Sequence, residues 1–365
     1  MNESIPPLGC YSETLPIDEL LSKHVLRLAS RFRLKVAYKV DLPVHPIQKN
    51  DPYWIGIRRF IEEYSESGAT PLLWPLLSKN QGYWLNERNA LQYRDALMLM
   101  LDWTDRNGIQ VPGMIYDVET PWYQTRIALD AQNNPLKRFA GLAFSVLSNR
   151  NPLRFLHASQ TIQTIVDLQH QKLGVSYTAT FPLLMADLAV RGFRLQDLFE
   201  MPVFSVSFDN YNLMMYTSYL ADLLPGISPR DLGHMVYEYA LMLTSHFGEH
   251  GQMTFGSTYE AVLPGKPLNT YGGPQDMAEH VAAAKAGGVE EFWIYCLEGT
   301  LYRDRQGTNR LSEAESNAWF ETLIQTEPKV PEPSKRFELL HKLVLIFNRD
   351  PLGRLLMGGT RKSWI

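Results

Sequence analysis

Residues 162–182 read IQTIVDLQHQKLGVSYTATFP, and the passage holds a change of period that decides the fold. Ile162, Ile165, Val166 and Gln169 recur three and four apart, the spacing that lines one face of an α-helix. Gly174 stops that pattern, and Val175 to Pro182 follows as a strand. Helix, glycine, strand is the αβ half of a repeating βα unit. Strands of a parallel sheet are buried on both faces, so they read as runs rather than as strict alternation.

The same unit recurs along the chain. Further strands are predicted at Leu34 to Asp41, Pro71 to Leu77, Val111 to Glu119, Pro202 to Phe208, Asn212 to Tyr216, Met253 to Tyr259 and Glu291 to Leu297. Helical stripes lie between them. Trp54, Ile57, Phe60, Ile61 and Tyr64 stop before Gly68, and Tyr93, Leu97, Met100, Leu101 and Thr104 stop at Asn107-Gly108. Leu232, Val236, Tyr239, Ala240, Leu243 and Phe247 stop at Gly248, while Ala278, Val281, Ala282 and Lys285 precede Gly287-Gly288.

Eight strand candidates suit a closed (β/α)8 TIM barrel of the α/β class. Pro202 to Phe208 and Asn212 to Tyr216 lie too close for a helix between them, however. If they form one strand and its loop, the missing strand must come from Leu8 to Tyr11. A doubly wound open sheet is the alternative, but no Gly-x-Gly-x-x-Gly or Gly-Lys-Ser/Thr loop follows an early strand. No cofactor is implied. The pattern breaks after Gln325 at Pro331 and Pro333, and Leu339 to Phe347 then reads as an amphipathic helix. The expected organisation is a barrel over 1–325 with a C-terminal helical cap or tail over 326–365.

Composition bounds the partners. A net charge of −4, from 35 Lys and Arg against 39 Asp and Glu, gives no footprint for a phosphate backbone, so nucleic acid is not expected. Eight Trp and 18 Tyr suit sugar-binding platforms as well as packing under helices. Cys10 and Cys296 are too few for a disulfide scaffold. No apolar window is long enough to span a membrane. Met-Asn-Glu-Ser-Ile-Pro-Pro carries no basic segment followed by an apolar stretch, so a cytoplasmic location is the default, with export of a trimmed precursor as the alternative. Oligomeric state is not legible.

Gly113-Met114-Ile115-Tyr116-Asp117-Val118-Glu119 is the segment richest in chemistry. Residues two apart on a strand share a face, so Asp117 and Glu119 point together into the barrel mouth if they end a strand. Two carboxylates held close in a partly dry cleft cannot both ionise freely, which makes one of them a general acid. The structural alternative is a strand end whose acids cap the next turn near Thr120 or hold Arg126.

This triplet resembles the end of the Asp-x-x-Asp-x-Asp-x-Glu motif of the chitinase-like glycoside hydrolase family 18. Asn212-Leu213-Met214-Met215-Tyr216 is similar to that family's Met-x-Tyr-Asp element, and Phe292-Trp293-Ile294-Tyr295 to its eighth-strand segment with a cleft-floor Trp. The order and spacing agree across roughly residues 34 to 300. The resemblance implies a barrel glycosidase with Glu119 as general acid, Asp117 orienting a substrate N-acetyl nucleophile, and Tyr216 hydrogen-bonding it. Pro112 and Ile115 stand where the family has its two earlier Asp, and Thr217 where it has the Asp after the Tyr.

Glu260 follows the Met253 to Tyr259 strand, where many retaining barrel glycosidases place a nucleophile, and supplies a second option. Asp209, Asn210, Tyr259, Tyr295 and Glu298 are candidate substrate contacts at strand ends. Trp74, Trp84, Trp122 and Trp293 are candidate stacking platforms, although Trp74 and Trp293 sit on strands and suit a core equally well. Glu119, Asp209, Glu260 and Glu298 could instead hold a divalent cation, as in sugar isomerases or lyases, but the nine His are scattered and form no His-Glu-x-x-His pair. Gly-x-Ser-x-Gly is absent. The expected partner is a carbohydrate, cleaved or only bound.

Overall fold

The computed structural model describes residues 7–124, 150–223, 227–259, 270–304 and 307–348. Eight parallel strands close into a barrel in the order β1 to β8, with helices between them. The strands are β1 Leu8–Ser12, β2 Lys35–Asp41, β3 Thr70–Leu76, β4 Gly113–Asp117, β5 Val175–Thr180, β6 Asn210–Met215, β7 Gly251–Gly256 and β8 Glu291–Tyr295. The ring closes where β1 pairs with β8, Gly9 opposite Trp293 and Tyr11 opposite Tyr295.

The conditional reading of the first strand is the one the fold adopts. Leu8–Ser12 is β1, and Pro202 to Phe208 is not a strand. Pro202 removes a ladder donor. The segment is held instead by the Gln196 amide oxygen, which accepts from the backbone N–H of Val203 and Phe204 at 3.0 and 2.7 Å. The helical stripes form helices Pro52–Ser67, Ala90–Arg106, Pro152–Lys172, Pro229–Phe247 and Pro274–Ala286. Gly68, at φ 84°, takes the left-handed conformation that ends the first of these.

Two apolar layers result. The larger lies between strands and helices, and the smaller fills the barrel itself with Tyr11, Leu72, Trp74, Ile115, Tyr177, Met214 and Trp293. Trp293 is fully enclosed at mid-height, with Tyr11 and Tyr177 ring centroids 5.4 and 5.8 Å away. Gly9 lies flat beneath its indole, since a Cβ there would stand 2.2 Å from the ring. Gly9→Ala is therefore expected to cost about 1–3 kcal/mol by overpacking. Chemical denaturation checks this, and Trp293→Phe in the same chain should return part of the loss.

The N-terminal end of the barrel is closed by polar groups. Lys35 Nζ meets Glu291 at 2.6 Å and the Tyr177 hydroxyl at 3.3 Å, while the Trp293 indole N–H donates to Gln252 and Glu291.

Candidate active site

The C-terminal ends of the strands carry an acidic and aromatic cluster. Asp117 ends β4 and is buried, while Glu119, two residues on, is half-buried. The chain around them is pinned by the loop after β3: Leu85 N–H donates to the Asp117 carbonyl at 3.0 Å, and Glu119 N–H to that of Leu85 at 3.1 Å. Strand periodicity then turns both carboxyls inward, where each feels the other.

The pair holds a proton well above the usual carboxylate range. Burial raises both groups, and Asp117 raises Glu119 further by charge and by accepting its hydrogen bond. The Glu119 hydrogen bond and the Trp74 indole N–H draw Asp117 back down. Of the two, Glu119 is raised the further, so the pair's proton is held more firmly there. Asp117 Oδ1 has no hydrogen-bond partner among the described residues.

Tyr216 follows β6 and feels both Asp117 and Glu119; burial first, then those charges, keeps its hydroxyl protonated. Tyr295, at the end of β8, stacks on Tyr216 with centroids 5.1 Å apart. A residue absent from the sequence reading joins them. Glu13, just past β1, accepts hydrogen bonds from the hydroxyls of Tyr83, at 2.7 Å, and Tyr295. Its charge also raises Asp117 and Glu119. Trp84 and Trp122 pack together beside this cluster, centroids 5.3 Å apart, and Tyr259 is half-buried after β7, packed against the barrel interior.

Other predicted residues lie elsewhere. Asp209 and Asn210 open β6 rather than ending a strand, so they sit at the opposite end of the barrel. Asp209 accepts from Ser176 N–H and Oγ at 2.7 and 2.8 Å and contacts His170 Nε2 at 2.7 Å, while the Asn210 amide oxygen accepts from Gln252. Trp293 is sealed inside the barrel below Tyr295, and Trp74 is buried with its N–H toward Asp117, so neither offers an open platform. Glu298 is buried, with Oε1 accepting the backbone N–H of Glu13, Thr14 and Leu15 at 2.8, 2.6 and 3.1 Å. It positions the loop that carries Glu13 rather than facing the mouth. Glu260 lies outside the described residues, as does Arg126.

An electrostatic cost accompanies this geometry. Carboxyls raised above their unfolded range keep protons in the native state that the unfolded chain has already released. Stability is then fully present below about pH 4 and falls as pH rises through the native titration. Asp117→Asn is expected to be more stable than the parent at pH 8, on the order of 2 kcal/mol, with the advantage gone near pH 4. Urea denaturation across pH would show it.

No family model matches this chain, and no curated protein matches it either. Solved structures do share its fold. A β-glucosidase from Thermotoga maritima, solved with a methoxycarbonyl-substituted glucoimidazole, aligns with TM-score 0.56 over 89% of this chain and 99% of its own, at 11% identity. A β-glycosidase from Pyrococcus horikoshii aligns with TM-score 0.52 over 96% and 98% at 12% identity, and a family 1 β-glucosidase from Thermotoga maritima with 0.53 over 87% and 97% at 10%. The likeness is to barrels of this kind and lends no support to family 18 in particular. At such identities it is a likeness of fold.

Proposed function

We propose that this barrel is a glycoside hydrolase acting on an oligosaccharide or glycoconjugate, with Glu119 as the general acid. The observation that carries the reading is the Asp117–Glu119 carboxyl pair, two residues apart at the end of β4, whose desolvation and proximity raise both groups and Glu119 the further. A carboxyl that keeps its proton at neutral pH is what protonation of a leaving glycosidic oxygen requires. Aromatic rings around the pair suit the apolar faces of sugars. The fold neighbours named as glycosidases support the same class.

Asp117 neighbours Glu119 on the same strand end, so we assign it no part as the second carboxyl of a retaining pair, whose members face each other across the bond about 5–5.5 Å apart. The attacking group is then either the substrate's own N-acetyl oxygen, steadied by Asp117 and the Tyr216 hydroxyl, or Glu260. On an N-acetylated glycoside the first route makes Asp117→Asn and Tyr216→Phe more damaging than Glu260→Gln; the second reverses the order. The cation set Glu119, Asp209, Glu260 and Glu298 is disfavoured, because Asp209 lies at the far end of the barrel and Glu298 is bonded to backbone amides.

Aryl glycosides with and without an N-acetyl group test the proposal directly. Turnover of at least one is expected, and it should survive exhaustive EDTA treatment. Binding of glycans with no turnover of any would overturn it in favour of a binding barrel.

A further inference from the structure

Helix Lys335–Asn348 is apolar on two sides. Its inner side is docked: Phe337 packs edge-on to His234 and Tyr239, His341 stacks on Tyr239, and Asn348 Nδ2 donates to buried Asp187 at 2.7 Å. Its outer side is not covered by the described residues: Leu339, Leu343 and Ile346 are 60%, 53% and 62% exposed and Leu340 is 47% exposed. Projected at about 100° per residue, Ile346, Leu339 and Leu343 form one narrow stripe, with Lys335 and Lys342 along one edge and Arg336 along the other.

Charge is distributed unequally along the chain. Residues 335–365 contain seven Lys and Arg against two Asp and Glu, leaving 28 against 37 for residues 1–334. The basic residues of 349–365 are also interleaved with Leu352, Leu355, Leu356, Met357, Trp364 and Ile365. Cations bordering an apolar stripe can lay their stems along lipid and keep their charged ends among headgroups. With 14 residues the helix is about 21 Å long, short of the roughly 30 Å hydrocarbon core. Among the described residues no helix is long and apolar enough to cross a membrane.

We propose that this outer face is an interfacial anchor that lays the helix flat on an anionic lipid surface. A parallel pairing of the same face with a second copy would bring Lys335, Arg336 and Lys342 against their own equivalents, whereas acidic headgroups complement all three in any orientation of the helix on the surface. The proposal is independent of the glycosidase reading, because none of these residues belongs to the barrel mouth.

Co-sedimentation of the full chain with phosphatidylcholine vesicles, with and without phosphatidylglycerol, tests it. Binding is expected only with phosphatidylglycerol, weakened by salt and by about fivefold for each of Lys335→Gln, Arg336→Gln and Lys342→Gln. Leu339→Gln/Leu343→Gln/Ile346→Gln should abolish binding with the thermal melt unchanged. Equal binding to both vesicles, or to neither, overturns the proposal. So does a concentration-dependent dimer that the triple substitution dissolves while the parent ignores vesicles, which would assign the face to a second copy. Loss of fold stability in the triple variant would assign it to another part of the chain and overturn the proposal as well.

Discussion

Glu119→Gln is expected to lower glycoside turnover by about 10²–10⁴-fold with the barrel intact. The amide matches the carboxyl in shape but cannot release a proton to a departing oxygen. The loss should depend on the leaving group: an activated aryl group departs without help and should be spared most, and a sugar leaving group least. Stability should not fall, because the substitution removes an ionisable group whose charged form the site disfavours. Full activity of the variant across N-acetylated and plain glycosides would sink the assignment, whichever group attacks the sugar.

The second large effect concerns a residue outside the mouth. Glu298→Ala is expected to destabilise the fold by about 3 kcal/mol, because it strips the shared acceptor from the N–H groups of Glu13, Thr14 and Leu15. It should also reduce activity, since Glu13 would lose its fixed place between the hydroxyls of Tyr83 and Tyr295. Glu298→Gln keeps an oxygen acceptor at the same reach and should recover most of both. A direct substrate contact predicts otherwise: Glu298→Ala would then raise KM and leave the urea midpoint unchanged.

The architecture was legible wherever a local signal and the fold agreed. Stripes stopping at Gly68, Asn107-Gly108 and Gly248 mark helix ends because the chain needs a residue that can leave the helix there. β1 was harder, since a five-residue strand buried on both faces shows no period, and it emerged only because Pro202 to Phe208 could not serve. At the site, Asp117 and Glu119 were legible through the two-residue period of a strand, and Tyr216 through its place after β6. Glu298 carries the same signal as a catalytic acid after a strand, yet backbone amides from the opposite end of the chain claim it. Glu13 gave no signal: its role depends on Tyr83 and Tyr295, 70 and 282 residues away. Asp209 ends no strand but precedes β6, and which end of the barrel such a residue reaches is fixed only once the strand itself is known.

The Lys35–Glu291 contact beneath Trp293 gives the barrel a stopper at one end. A cylinder stoppered at its base exchanges protons and water only through its opposite rim. Whatever molecule settles over Tyr216 and Tyr295 thereby becomes the lid of a closed vessel. The Asp117–Glu119 pair would then lose its solvent bath at the moment of occupancy, and the stored proton would face the occupant in place of water.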